Sequence, residues 1–199
     1  MRIILVRHGQ DNPSVRGGWS QHGLTEEGIA QAKSLARYLK ENYWPINLII
    51  SSDLRRAKET TELVNKSLRV DVEYDPQWRE INNGLIAGMD NELVRKRYPG
   101  LFFNTLGFEE RYPDGESPKE FMIRVIKAFK LVASREINNV LIVTHGGVIS
   151  LILYYIQNIQ WTNKIPVLPC VPTGIYELEY DMGNYRILKS NDNKHLILG

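Results

Sequence analysis

Apolar residues along the chain follow two patterns: short continuous runs, and longer segments in which apolar positions recur at helical spacing. The runs Ile3–Val6, Leu48–Ile50 and Val140–Thr144 are rich in β-branched residues and predict buried strands. Glu26–Asn42 and a segment from Asp53 to about Leu68 carry apolar residues three and four positions apart, which predicts amphipathic helices. An order of strand, helix, strand, helix is typical of a mostly parallel α/β sheet.

The remaining pattern completes this layered arrangement. Val70–Tyr74 predicts a third strand, and a capping box with proline at the first helical position predicts a helix starting at Ser117. An apolar helix is predicted over Val148 to about Gln157. Ile175–Tyr180 and Tyr185–Leu188 alternate and are joined by a turn, which predicts a hairpin at the sheet edge. We therefore predict a three-layer α/β/α sandwich with a mostly parallel central sheet.

Two segments depart from regular structure. Asp90–Tyr98 predicts a short helix that ends at a Pro-Gly pair, and Leu101–Gly115 mixes aromatic and polar residues without a period. The expected organisation is a single domain over residues 1–199 with a small insertion around residues 85–116. The polar tail Lys189–Gly199 has no assigned structure.

Composition and charge exclude several classes of protein. Among 199 residues, 43% are hydrophobic and 24% are charged, and the formal net charge is only +2. This balance predicts no binding to nucleic acid or to an anionic membrane. Cys170 is the only cysteine, so no internal disulfide can form. Without a run of transmembrane length or a signal sequence, the expectation is a cytoplasmic protein. The oligomeric state cannot be deduced from the sequence.

Two strands end in nearly the same residues. The first strand is followed by Arg7-His8-Gly9, and the Val140–Thr144 strand by His145-Gly146-Gly147. In parallel strands these ends meet at one edge of the sheet, where open α/β sheets bind their ligands. Gly146 also opens a helix whose free N–H groups favour an anion. Two histidines, nearby arginines and a helix N-terminus together suit a phosphoryl group.

Six short motifs occur in a fixed order along nearly the whole chain: Arg7 to Gly9, Leu24 to Gly28, Ser51 to Thr60, Arg79 to Ile81, Gly115 to Ser117, and His145 to Gly147. In this order the chain resembles the histidine phosphatase superfamily, whose fold is phosphoglycerate mutase-like. Arg-His-Gly alone is a weak signal, whereas six ordered motifs are specific.

The resemblance implies a covalent mechanism with His8 as the nucleophile that forms a phosphohistidine. It implies that Arg7, Arg55 and His145 hold the phosphoryl oxygens and that Glu80 first donates and then accepts a proton. No cofactor and no metal are expected, and the four histidines and the scattered acids show no metal-ligand spacing.

Two of these assignments involve a choice between neighbours. Either Arg55 or Arg56 could be the phosphate arginine, and Arg55 is chosen because the family's arginine directly follows leucine. For the proton donor, Glu80 competes with three other carboxylates, namely Glu109, Glu110 and Glu116. His22 and His195 lie in polar stretches and are expected at the surface.

The chain departs from the family pattern next to the nucleophile. Asp11 replaces the threonine that often follows the first motif, and Ser14 stands near an expected asparagine. Asp11 would repel a phosphate unless its side chain turned away, whereas Ser14 and Arg16 are candidate substrate contacts. These changes leave the expected chemistry intact and the identity of the small phosphorylated substrate open.

Three functions remain to be distinguished. The leading hypothesis is a metal-independent phosphomonoester hydrolase, because no extended basic lid is evident in residues 90–118. The alternative of the same class is a phosphoglycerate mutase, which must retain its intermediate while it reorients. A non-catalytic phosphate-binding regulatory module is the alternative of another class.

Overall fold

The computed structural model describes residues 1–197. Its strands are Arg2–Arg7 (β1), Leu48–Ser51 (β2), Asp71–Tyr74 (β3), Asn139–Thr144 (β4), Ile175–Asp181 (β5) and Asn184–Asp192 (β6). Its α-helices are Glu26–Asn42 (α1), Arg55–Leu68 (α2), Asn91–Arg97 (α3), Pro118–Ala133 (α4) and Gly146–Ile156 (α5). No helix within these residues is long and apolar enough to cross a membrane.

The strands form one sheet in the order β3-β2-β4-β1-β5-β6. β1 and β2 both pair in parallel with β4, which lies between them, and β3 pairs in parallel with β2. β5 pairs antiparallel with β1, and β6 pairs antiparallel with β5 to complete the predicted hairpin. The parallel strands β1, β2 and β4 are continuously apolar, whereas the parallel edge strand β3 is not. The carboxyl ends of all four strands lie at one edge of the sheet.

Helices cover both faces of the sheet. Alternate residues of β1 point to opposite faces: Ile3 and Leu5 pack in one apolar cluster with α4 and α5, and Ile4 and Val6 in another with α1 and α2. The predicted three-layer α/β/α sandwich is confirmed.

The helix starts follow the sequence signals closely. Oγ1 of Thr25 accepts a 3.1 Å hydrogen bond from the Gly28 N–H at the start of α1. Ser117 and Glu120 form the reciprocal capping box of α4. α5 begins at Gly146 and its apolar part at Val148, so the first free N–H groups of the helix lie immediately after β4.

Residues 84–116 form an irregular segment with its own small apolar cluster. Ile86, Val94, Leu106 and Tyr112 are buried together beneath α3 and the following loop. From this segment Phe103 packs edge-to-face on Phe121 of α4 and lies 6.1 Å from the Trp161 ring, between ring centroids. These contacts hold the segment beside the carboxyl edge of the sheet, where the candidate site lies.

Candidate active site

A cavity of about 1230 Å³ opens at the carboxyl ends of β1 and β4. Aromatic and aliphatic side chains line one part of it: Phe102, Phe103, Phe121, Trp161, Ile165, Val167 and Leu168. Six charged residues line it as well: Arg7, Asp11, Arg16, Arg56, Glu80 and Lys164. The excess of basic groups over carboxylates makes the polar part of the cavity suitable for an anion.

His8 lies at the base of this cavity and is only 4% exposed. Its Nδ1 lies 2.7 Å from the carbonyl oxygen of Gly9, which can only accept, and its Nε2 lies 3.0 Å from Nε of Arg56, which can only donate. The ring is therefore the neutral tautomer with the proton on Nδ1 and a lone pair on Nε2. Burial, and then the charges of Arg56 and Arg7, hold the pKa of His8 well below its usual range.

Arg56 is almost fully buried and occupies the centre of the site. Its Nη1 donates to the carbonyl oxygen and the hydroxyl of Ser20, and its Nη2 donates to the carbonyl oxygen of Gly18 at 2.8 Å. Nη2 also lies 3.1 Å from Nδ1 of His145. The guanidinium thus lies between the two histidines and is held by the loop after β1.

The structure corrects the choice of Arg55 as the phosphate arginine. The Arg55 side chain is 64% exposed, donates to Glu59 one helical turn later at 2.7 Å, and does not line the cavity. α2 begins at Arg55, and successive helical residues point about 100° apart. Since Arg56 faces the sheet edge, Arg55 faces solvent, and of the two arginines only Arg56 lines the cavity.

His145 is buried behind His8 and does not line the cavity. The two rings meet edge-to-face with centroids 5.0 Å apart. Since Nδ1 accepts from Arg56, the ring proton is on Nε2, which donates to the Ser52 hydroxyl at 2.8 Å. Burial and the neighbouring Arg56 lower the pKa of His145 well below its usual value.

Glu80 lines the cavity and is held by backbone amides. Its Oε1 accepts from the Ile81 N–H at 3.0 Å, and its Oε2 accepts from the Gly147 N–H at 2.9 Å, at the N-terminus of α5. A side chain at position 147 would collide with this carboxylate. A glycine at this position therefore permits the close approach of Glu80 to the helix.

Partly buried contacts fix the loop that carries Glu80. Arg124 donates to the carbonyl oxygens of Arg79 and Glu80 and pairs with Glu116 at 2.5 Å. Nε1 of Trp19 donates to the same Glu80 carbonyl oxygen at 2.8 Å. Glu116 thus braces this loop from outside the cavity. The other competing acids, Glu109 and Glu110, are exposed and do not line the cavity either.

The remaining predicted residues divide between the cavity and its surroundings. Arg7 lines the cavity and donates to the Cys170 carbonyl oxygen at 2.7 Å, and Gly146 also lines it. Arg16 lines it with its guanidinium 5.2 Å from the ring centre of Phe102. Ser14 does not line the cavity: its exposed hydroxyl donates to Asn12 at 2.8 Å.

Sequence reasoning missed several residues that shape the site. Gly18 and Ser20 accept from Arg56, and they lie in a loop whose sequence has no recognisable spacing. Ser52, which follows β2, bonds His145. Trp161, whose ring packs with those of Phe103, Phe108 and Phe121, also lines the cavity. His195 is 1% exposed rather than at the surface, because its imidazole packs under Tyr38 of α1 and bonds Thr173.

Among residues 1–197 no group of three or more histidine, cysteine, aspartate or glutamate side chains could hold a metal ion. The groups that the described residues present at the cavity include a neutral imidazole, fixed arginines and a carboxylate at a helix N-terminus. This set can bind a phosphoryl group and accept or donate protons beside it.

Comparison with known proteins agrees with this geometry. The family model described as "Histidine phosphatase superfamily (branch 1)" matches residues 3–193. A Bacillus subtilis (strain 168) protein named uncharacterized phosphatase PhoE is 29% identical over 198 residues, which cover 98% of this chain and 96% of that protein.

Further relatives extend the comparison. A 2,3-bisphosphoglycerate-dependent phosphoglycerate mutase of Methylobacterium radiotolerans is 28% identical over 73% of this chain and 74% of its own. Among solved structures, Bacillus stearothermophilus YhfR superposes with a TM-score of 0.86 and 25% identity, covering 98% of both chains. Phosphatase and mutase names thus both occur among the relatives.

Proposed function

Since the chain belongs to the histidine phosphatase superfamily (branch 1), we propose that it is a metal-independent phosphomonoester hydrolase acting through a phosphohistidine on His8. The observation that carries this proposal is the tautomer of His8. Its Nδ1 proton is held by the Gly9 carbonyl oxygen, which leaves the Nε2 lone pair available beside a buried arginine.

In the first step Nε2 of His8 attacks phosphorus and forms the P–N bond as the ester P–O bond breaks. The electron pair of that bond stays on the leaving oxygen, to which a protonated Glu80 gives its proton. Arg56 donates to Nε2 in the free protein, so this hydrogen bond must open before attack, and the freed N–H turns to a phosphoryl oxygen. Arg7 and the N-terminus of α5 supply further donors to the developing charge.

In the second step water attacks phosphorus, the P–Nε2 bond breaks and its electron pair returns to His8. The ionised Glu80 takes a proton from the water, which restores its starting state. One carboxyl group serves both steps because the proton transfers run in opposite directions. The backbone bonds that hold Glu80 at the cavity support this double role.

We assign His145 to holding Arg56. Its ring does not line the cavity, and its Nδ1 accepts from the same Arg56 nitrogen that Gly18 binds. A direct contact with a phosphoryl oxygen, which the family resemblance implies, requires Arg56 to leave Nδ1 and the ring to gain a proton there.

Hydrolysis fits the cavity better than mutase activity. A mutase must keep its intermediate enclosed, and a basic lid would supply the means. None of the basic residues at positions 95–97, 111 and 119 lines the cavity. Water can therefore reach the phosphohistidine, and the phosphoglycerate mutase remains the second candidate. A purely phosphate-binding module would have no use for the fixed carboxylate of Glu80.

The substrate is proposed to be a small phosphorylated compound. Its leaving group would point toward the aromatic and aliphatic side chains that line one part of the cavity. We retain the expectations of a cytoplasmic location, of one domain over residues 1–199, and of no nucleic-acid or membrane partner. The low net charge of +2 supports the last of these.

The proposal is tested by phosphate release from a panel of phosphomonoesters in excess chelator, with His8→Ala beside the wild type. Release by the wild type alone is the expected result. If neither protein releases phosphate from any ester, the hydrolase proposal fails, and a bisphosphoglycerate-dependent mutase assay follows.

A further inference from the structure

Asp11 is a charged group at the site that the proposed mechanism does not use. It is one of two carboxylates among the described residues that line the cavity, the other being Glu80. Both oxygens of Glu80 accept from backbone N–H groups. The Asp11 carboxylate instead faces the arginine that the substrate needs, with Oδ2 3.4 Å from Nε of Arg56.

The position of Asp11 is built into the fold. Its backbone forms an isolated antiparallel bridge with Leu24. The preceding residue, Gln10, is fixed on both sides: its N–H donates to Gln31 and its carbonyl oxygen accepts from the Thr25 N–H, both at 2.9 Å. The Asp11 side chain is only 17% exposed. The carboxylate is thus held at the cavity by paired backbone rather than by a free loop.

Arg56 has no idle donor for an incoming anion. Nη1 and Nη2 bind Ser20, Gly18 and His145, and the Nε–H lies between His8 and Asp11. The partners of Nη1 and Nη2 are neutral and structural, whereas Asp11 is an anion at the rim. A phosphoryl oxygen that takes the Nε–H must therefore displace Asp11 or lie against it, and like charges at such separations repel.

We propose that Asp11 is an affinity-determining residue that competes with the phosphoryl group for Arg56 and so weakens the binding of phosphate anions. This inference rests on the proposed function for its role in turnover. The consequence for a hydrolase is a weakly held inorganic phosphate product, which leaves readily. A neutral side chain of the same shape would remove the competition and retain phosphate.

The test is calorimetric titration of inorganic phosphate into four full-length proteins: the wild type, Asp11→Asn, Asp11→Glu and Glu62→Gln. Glu62 is an exposed carboxylate on α2, the helix of Arg56, and lies outside the cavity. Its substitution removes one negative charge without touching the site, and Asp11→Glu keeps the charge at the site. We expect Asp11→Asn to bind phosphate about tenfold more tightly and Glu62→Gln to bind within about twofold of the wild type, whereas Asp11→Glu, which keeps a negative charge beside Arg56, should show no gain in affinity.

Steady-state kinetics supply a second readout. If Asp11 had only a structural role, its substitution would not lower the KM and the product-inhibition constant. Asp11→Asn should lower the KM for 4-nitrophenyl phosphate, and the Ki of phosphate as a product inhibitor, by a similar factor. Unchanged or weaker phosphate binding by a folded Asp11→Asn protein would overturn the proposal and indicate that Asp11 orients Arg56. If Asp11→Asn does not fold, Asp11→Ser carries the same expectation.

The two proposals fail separately. If the wild type hydrolyses no ester but Asp11→Asn still binds phosphate more tightly, the hydrolase proposal fails and the competition at Arg56 stands. If the wild type hydrolyses esters but phosphate binding is insensitive to the charge at position 11, only the competition is excluded.

Discussion

The Nε–H of Arg56 donates a 3.0 Å hydrogen bond to Nε2 of His8, the atom proposed to attack phosphorus. A positive charge at this distance, in a buried site, opposes protonation of the imidazole and lowers its pKa. The same contact blocks the lone pair until a phosphoryl group draws the arginine away. In the proposed mechanism Arg56 therefore keeps His8 neutral and frees its lone pair only when substrate binds.

This relationship predicts a sharp difference between two adjacent arginines. Arg56→Ala should lower kcat/KM by about 10²- to 10³-fold, because it removes a fixed donor to the transition state. Arg56→Lys should restore little of the loss, since an ammonium group cannot reproduce the planar fork. The measurement is steady-state hydrolysis of one phosphomonoester.

Arg55→Ala is the matched control for that series. Arg55 is exposed and pairs with Glu59, so its removal should change kcat/KM by less than about threefold. A large loss in Arg55→Ala together with a small loss in Arg56→Ala would contradict the placement of the two side chains.

The role of Glu80 predicts a dependence on the leaving group. Glu80→Gln should lower kcat by about 10²- to 10⁴-fold for an alkyl phosphate, whose leaving oxygen needs a proton. The loss should be much smaller in the first step with 4-nitrophenyl phosphate, because nitrophenolate leaves without one. Burst kinetics with the two esters measure this difference, and Glu110→Gln serves as the control. An equal loss in the rate of the first step with both esters would count against Glu80 as the acid.

Much of this site could be predicted from the sequence because strand ends are local features. Arg7, His8 and His145 follow apolar runs directly, and the parallel pairing of β1 with β4 brings them to one edge. The choice between Arg55 and Arg56 depends on where α2 begins and which face it buries. Both depend on how the helix packs against the sheet, and a comparison of sequence motifs does not report this packing.

The sequence also does not show which residues are buried by contacts with distant parts of the chain. His195 lies in a polar stretch, yet the Ser34 hydroxyl donates to its carbonyl oxygen and Thr173 bonds its ring. Similarly, Trp161 reaches the cavity only because the connection after α5 folds back over the sheet edge and meets Phe103. No spacing along the chain reports such contacts.

The buried His195 predicts a pH dependence of stability. Burial lowers its pKa to about 4, whereas in the unfolded chain it lies near 6.5. Between these two pH values the unfolded state binds more protons than the folded state. The contribution of the buried, neutral His195 to the free energy of unfolding is therefore complete above pH 6.5 and declines as pH falls toward 4. Each such histidine adds at most about 1.4 kcal/mol per pH unit to the slope of the unfolding free energy.

His195→Gln should therefore show a shallower decline than the wild type over this range. Urea unfolding at several pH values from 7.5 to 4.5 measures both slopes. His8 and His145, whose pKa values are also lowered, contribute in the same direction to both proteins. Identical slopes in the two proteins would show that His195 titrates normally in the folded state.

The most direct test of the account is to trap the intermediate. The protein is mixed with a phosphomonoester in excess chelator, quenched in alkali within milliseconds, and digested for mass spectrometry. We expect a phosphoryl group on His8 that is stable to alkali, labile to acid and absent from His8→Ala. Turnover without any phosphorylated His8, or with the phosphoryl group on another residue, would contradict it.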